Sequence, residues 1–161
     1  RIEEAAAHIK EHAVAWAVAY ATEQDIDRLN IRNATHQAMH EAIRQVLNNL
    51  PGTSSVALLI DGNDFKPFVR FDEAREITHV PHTCIEKGDN TYTSIAAASI
   101  LAKVSRDTYI EAMCAADPTL DERYGLSKNK GYGTKQHMDG ISEHGITPHH
   151  RRTFGICQSF I

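Results

Sequence analysis

The sequence predicts an α/β fold: a mixed sheet flanked by helices, with a C-terminal helical and basic extension. Three observations predict it. The unbroken apolar run Val56-Ala57-Leu58-Leu59-Ile60 has the look of a strand buried on both faces. Stretches on either side of it carry apolar residues at every third or fourth position, the period of a helix packed on one face. Strand-like and helix-like segments then alternate along the chain, which is the order of an α/β protein.

The elements follow in sequence. Residues 1–12 read as an amphipathic helix, because Ile2, Ala5, Ala6 and Ile9 fall at i, i+3, i+4 and i+7. Residues 13–20 read as a strand. Val14, Trp16, Val18 and Tyr20 alternate with alanines, so one face is bulky and the other leaves room for a closely packed helix. Thr22 stands three residues before Asp25 and caps a short helix to Leu29. Asn30 caps a long helix to about Leu50. Its apolar stripe is Ala34, Ala38, Ala42, Val46 and Leu50, widened by Ile31, Ile43 and Leu47, and Pro51-Gly52 stops it. Residues 75–80 suit a short strand. Lys87-Gly88-Asp89-Asn90 is a turn, and Thr93 or Ser94 caps a helix to about Ala116, closed by Asp117-Pro118. Residues 123–136 read as a polar loop. Thr134 caps a last helix ending near Gly145, and the tail from Ile146 is irregular and basic. No repeat or linker breaks the chain. One domain is expected, with residues 1–122 as its core and residues 123–161 as its C-terminal helix and basic tail.

Composition narrows the class. With 161 residues, 42% hydrophobic and 24% charged, the chain reads as soluble and globular. No apolar run approaches the ~20 residues that cross a bilayer, so no membrane partner is expected. The charged start (Arg1, Glu3, Glu4) lacks an apolar signal stretch, which points to the cytoplasm. A chain that opens on Arg rather than Met points to a natural start further upstream. Cys84, Cys114 and Cys157 include no C-x-x-C pair, so free thiols are expected. The net charge is −4, but it is unevenly spread. Residues 123–152 carry six basic groups (Arg123, Lys128, Lys130, Lys135, Arg151, Arg152) against Asp139 and Glu143. Such a basic segment suits phosphate, and equally a solvated face.

Two carboxylates stand out. Asp61 ends the buried strand and precedes Gly62, where ligands bind in open α/β sheets. Asp-Gly is also an ordinary turn pair. Asp107 lies four residues after Lys103 on the alanine-rich helix, among Ala96, Ala97, Ala98, Ser99 and Ala102. A plain i, i+4 ion pair explains that spacing too. Hard oxygen ligands suit Mg²⁺ or Mn²⁺, and a two-metal site that clamps a phosphodiester needs more than two of them.

Other constellations carry less. His36 and His40 are i, i+4 but lack the H-E-x-x-H context, and read as a solvated helix face. His149-His150 reads as loop and phosphate chemistry. No G-x-S-x-G and no glycine-rich nucleotide loop occurs.

The residues Lys87-Gly88-Asp89, with Ser94 through Asp107 (SIAAASILAKVSRD), closely resemble a hallmark block of type 2 ribonuclease H, ribonuclease HII. Ile60-Asp61-Gly62-Asn63, Lys130 through His137 (KGYGTKQH) and His150-Arg151-Arg152-Thr153-Phe154 resemble further motifs of that family in the same order. Trp16 and the stretch from Leu29 to Thr35 fit as well. The resemblance implies an RNase H-like fold and cleavage of the RNA strand of RNA–DNA hybrids, including single ribonucleotides in duplex DNA, leaving a 5′-phosphate. It implies four metal-binding acids, of which Asp61 and Asp107 match. The other pair belongs to a D-E-A-G-R-G motif that this sequence does not contain, so a hybrid- or duplex-binding chain without cleavage is the alternative. By the same resemblance Tyr132 meets the sugar at the RNA–DNA junction, although a tyrosine there could also simply anchor the loop. Lys128, Lys130, Arg151 and Arg152 are expected phosphate contacts. Lys87 and Lys103 are expected at the backbone or beside the acids. The family resemblance also implies a monomer.

Overall fold

The computed structural model describes residues 1–51 and 55–161. In chain order the elements are α1 (Ile2–His12), α2 (Glu23–Leu29), α3 (Ile31–Asn49), β1 (Leu58–Asp61), β2 (Val69–Phe71), β3 (Ile77–His79), β4 (His82–Ile85), α4 (Thr93–Ala116), α5 (Thr119–Tyr124), α6 (Leu126–Asn129) and α7 (Lys135–His144). The chain is α/β, with strands in both orientations. It divides into two compact units. One comprises Arg1–Tyr20 and His36–Val104, the other Ala21–Thr35 and Ser105–Ile161.

In the first unit, α1 buries Ala6 and half-buries Ile2, Ala5 and Ile9, the face its spacing predicts. The strand expected over residues 13–20 is absent. A strand exists through its ladder hydrogen bonds, and no described strand pairs with this segment. Val14 and Tyr20 on its bulky face stay exposed, while Ala15, Ala17 and Ala19 are half-buried. Trp16 instead lies beneath the Lys10 ammonium, 4.7 Å from the ring centroid.

β1 pairs in parallel with β4, from Leu58↔His82 to Asp61↔Ile85. The apolar run is buried on one face rather than two, since Ile60 is 5% exposed and Leu59 is 40% exposed. Ile60 packs with Phe65, Phe68 and Val80 against Met39, Ile43 and Leu47 of α3. The one-turn spacing that Ile43 and Leu47 share with His36 and His40 brings those imidazoles onto the same inner face. The solvated-face reading of the two histidines is therefore corrected. His36 is buried with its ring edge-on to Phe65, and His40 Nε2 donates to the Lys66 carbonyl at 2.7 Å. β2 and β3 form a separate antiparallel hairpin, Val69↔His79 to Phe71↔Ile77. The helix stop expected at Pro51-Gly52 falls partly on residues 52–54, outside the described residues.

In the second unit, the Thr22–Asp25 capping box opens α2 as expected. The Asn30 side chain accepts from Asn33 N–H at the start of α3. The core joins Ile110 and Cys114 of α4 to Leu120, Tyr124, Leu126, Ile141 and Cys157. Two short helices, α5 and α6, occupy part of what reads as a polar loop. Their few apolar residues are the reason: Tyr124 and Leu126 are buried, and the Tyr124 hydroxyl donates to the Gly145 carbonyl at 3.0 Å. Gly140 lets α7 approach α5 closely, because a Cβ there would lie 2.1 Å from the Arg123 carbonyl oxygen. Thr134 caps α7, and Gly145 ends it at φ 76°. The cysteines are free thiols.

Candidate active site

Asp61 is the last residue of β1, and the parallel ladder runs one step past it through Gly62 N–H to the Ile85 carbonyl at 3.0 Å. That pairing brings the turn after β4 beside the carboxylate. Asp61 Oδ1 accepts the Gly88 N–H at 2.9 Å. Lys87 takes a left-handed conformation, φ 53°, to aim that N–H. Gly88 is buried beneath the start of α4, where a Cβ would come within 2.5 Å of Ile95 Cδ1. Any larger residue must displace Ile95 or the turn, so glycine here fixes both the helix start and the Asp61 side chain. The sequence offers the strand end and the turn as separate features; the parallel pairing joins them. Asn63 Nδ2 donates to Glu86 Oε1 at 3.3 Å on the same rim.

Asp107 and Lys103 lie one turn apart on α4, Asp107 half-buried and Lys103 exposed. Asp61 and Lys103 belong to the first unit and Asp107 to the second. The small residues of α4 only partly serve close packing. Ala96 and Ala97 are half-buried, Ala98, Ser99 and Ala102 are exposed, and the buried positions of this stretch are Ile95 and Leu101.

Tyr132 is presented by a loop whose backbone is held on every side. Its ring is 65% exposed. Asn129, buried, donates to the Tyr124 carbonyl and accepts from Gly131 N–H, while Tyr132 N–H donates to the Asn129 carbonyl. Arg106 donates to the Lys130 carbonyl at 2.7 Å, and its guanidinium lies 4.8 Å from the Tyr132 ring centroid. The Tyr132 carbonyl accepts from Thr134 N–H and faces His137 Nδ1 at 2.9 Å.

Their hydrogen-bond partners fix the tautomers of the two buried histidines behind this loop. Thr147 N–H donates to His150 Nδ1 at 3.0 Å, so that nitrogen is an acceptor and the proton sits on Nε2. His150 Nε2–H then donates to His137 Nε2 at 3.1 Å, which leaves His137 Nδ1–H for the Tyr132 carbonyl. Burial first, then the neighbouring His137 and His149, hold His150 down to about 4, in keeping with a neutral ring. From sequence alone His150 falls with loop and phosphate chemistry, and His137 does not stand out. The available signal is one histidine in the first turn of a glycine-ended helix and another just beyond its end, but nothing in their spacing shows that they meet.

The basic segment is partly answered within the second unit. Lys130 Nζ meets Glu111 Oε1 at 2.7 Å and is largely buried, and Lys135 pairs with Asp139 at 2.6 Å. Lys128 and Arg152 are exposed. Arg151 lies over the Phe154 ring at 3.8 Å. Asp27 of α2 accepts from the backbone N–H of Arg152 and from the Thr153 N–H and hydroxyl, which ties this arginine pair down. Lys87 is exposed at its turn.

As a metal site the residues fit in kind and not in number. Asp61 and Asp107 offer the hard oxygens that Mg²⁺ and Mn²⁺ prefer. Among the described residues no group of three His, Cys, Asp or Glu side chains is gathered to hold an ion. No helix of the described residues is long and apolar enough to cross a membrane.

The chain is an α/β protein with a carboxylate fixed at a strand end and an exposed tyrosine on a basic loop. Comparison with known proteins narrows that class. The ribonuclease HII family model matches residues 1–157. Ribonuclease HII of Parabacteroides distasonis is 44% identical over 148 residues, 92% of this chain and 65% of its own length. The enzymes named ribonuclease HII from Phocaeicola vulgatus and Porphyromonas gingivalis are 43% and 41% identical over 92% and 91% of the chain. The chain belongs to the ribonuclease HII family, as the motif from Lys87 to Asp107 suggests. It spans about 65% of the length of the curated relatives it matches.

Proposed function

We propose that this protein is an endoribonuclease that cuts the RNA strand of RNA–DNA hybrids and cuts at single ribonucleotides embedded in duplex DNA. The observation that carries this reading is the ordered match to ribonuclease HII relatives across nine-tenths of the chain, with Asp61 at a strand end and locked by the Gly88 N–H. Water adds to the phosphorus on the 5′ side of a ribonucleotide, the P–O3′ bond breaks, and the products carry a 3′-hydroxyl and a 5′-phosphate. A bound Mg²⁺ or Mn²⁺ supplies charge for the attacking water and the leaving oxygen. Asp61 and Asp107 are the ligands this chain contributes, and a full coordination shell requires further oxygen donors.

The remaining roles concern binding. Tyr132 offers a flat ring and a hydroxyl, suited to a sugar and to the 2′-OH that separates RNA from DNA. Lys128, Arg151 and Arg152 serve as phosphate contacts, and Lys87 and Lys103 reach the backbone or hold the acids in place. Lys130 makes that contact only by leaving Glu111. Residues 123–161 serve as the substrate-binding part of the same domain. The protein acts as a monomer in the cytoplasm, in DNA replication and repair.

The test is cleavage of an end-labelled RNA–DNA hybrid by the protein expressed from its natural start codon to its natural stop. Cleavage that needs Mg²⁺ or Mn²⁺ and leaves 5′-phosphate ends is expected. Binding without any cleavage would favour the binding-only alternative.

A further inference from the structure

We propose that His137 is a positioning residue for Tyr132, an inference that rests on the reading of Tyr132 as a substrate contact. The loop gives Tyr132 an exposed ring on a fixed backbone, and His137 supplies the side-chain donor to its carbonyl. His137 and His150 are each 7% exposed. Two buried imidazoles cost free energy unless their nitrogens are partnered. Here the donors and acceptors run in one direction, from Thr147 through His150 and His137 to Tyr132. Tyr124 packs edge-on against both rings. The His137 Nδ1–H therefore holds the Tyr132 carbonyl from behind, and the bond from His150 fixes which ring nitrogen of His137 carries that proton. A filler for the core would need no such direction, and an apolar side chain would serve it. A loop held in its bound conformation loses less freedom on binding, which favours affinity.

Two near-isosteric substitutions separate the roles of the ring nitrogens. Asn places its amide N–H near Nδ1, so His137→Asn keeps the donor to Tyr132 and drops the acceptor for His150. Gln places its carbonyl near Nε2, so His137→Gln does the reverse. With the full-length protein and an RNA–DNA hybrid, His137→Gln should raise KM roughly fivefold, the size of one net hydrogen bond. Its kcat should change by less than about twofold, as for a lost binding contact. His137→Asn should stay close to wild type. In a Tyr132→Ala background, His137→Gln should add nothing further, the signature of coupled sites. Hydrogen exchange without substrate gives an independent readout. Protection of the amides of residues 129–134 should fall in the Gln variant and persist in the Asn variant. Thermal unfolding of both variants separates a lost loop contact from a lost fold. Equal KM values for the two variants, or an undiminished Gln effect in the Tyr132→Ala background, would overturn the proposal alone. A wild-type protein that neither binds nor cuts a hybrid would overturn the functional reading, and this role with it.

Discussion

Replacing Asp61 separates what its carboxylate does for the fold from what it does for chemistry. Its Oδ1 accepts the N–H of Gly88, a residue buried beneath Ile95. Asp61→Ala leaves that N–H without its acceptor, at a cost of about 1–3 kcal/mol. Asp61→Asn keeps a carbonyl oxygen in the same place and loses only the extra strength of a charged acceptor, at most about 1 kcal/mol for an exposed side chain. For a domain of this size 1 kcal/mol moves Tm by about 2–4 °C. Asp61→Ala should therefore lower Tm by roughly 2–12 °C, and Asp61→Asn by no more than about 4 °C. Both should lose cleavage, because a neutral amide is a poor ligand for a hard divalent ion. Thermal unfolding by circular dichroism and a hybrid-cleavage assay read the two effects on the same preparations. The reasoning is refuted if Asn destabilises as much as Ala, since the anchor is then not the hydrogen bond. It is refuted equally if Asp61→Asn cleaves at the wild-type rate.

Gly140→Ala should destabilise the second unit by about 1–3 kcal/mol, the usual cost of overpacking, because its Cβ would strike the Arg123 carbonyl at 2.1 Å. Urea unfolding measures this, and an unchanged midpoint would mean that α5 and α7 can part without cost. Stability should also fall as pH drops from about 6.5 towards 4. In that window the unfolded chain binds a proton that folded His150 refuses, so acid favours unfolding. His150→Gln should flatten that part of the stability profile, and a slope equal to wild type would assign it to other groups.

The sequence made legible what local chemistry decides. The capping box at Thr22, the caps at Asn30 and Thr134 and the stop at Gly145 stand where residue type places them. Asp61 could be picked out because a strand end followed by glycine is a recurrent ligand position. What escaped depends on partners distant in sequence. The alternation of Val14, Trp16, Val18 and Tyr20 has the period of a strand, yet pairing and not period makes one. β4 is too short and too mixed to announce itself, and its parallel match to β1 is what brings Gly88 to Asp61. His36 and His40 look solvated because imidazole is polar, whereas Phe65 and Phe68 give their rings apolar neighbours. The His137–His150 contact joins residues thirteen apart, a separation at which no helical or strand period operates.

The central claim, that Asp61 and Asp107 serve one metal-assisted cleavage of RNA–DNA hybrids, is tested most directly by one cleavage series. The full natural reading frame is expressed as wild type, Asp61→Asn, Asp107→Asn and the double variant. Each is assayed with Mg²⁺ or Mn²⁺ on an end-labelled duplex carrying one ribonucleotide. Wild type should cut on the 5′ side of the ribonucleotide. Each single variant should lose at least about 100-fold in rate, and the double variant should be little worse than either, as for groups that act as a unit. Wild-type rates in either single variant, or losses that simply multiply, would contradict it.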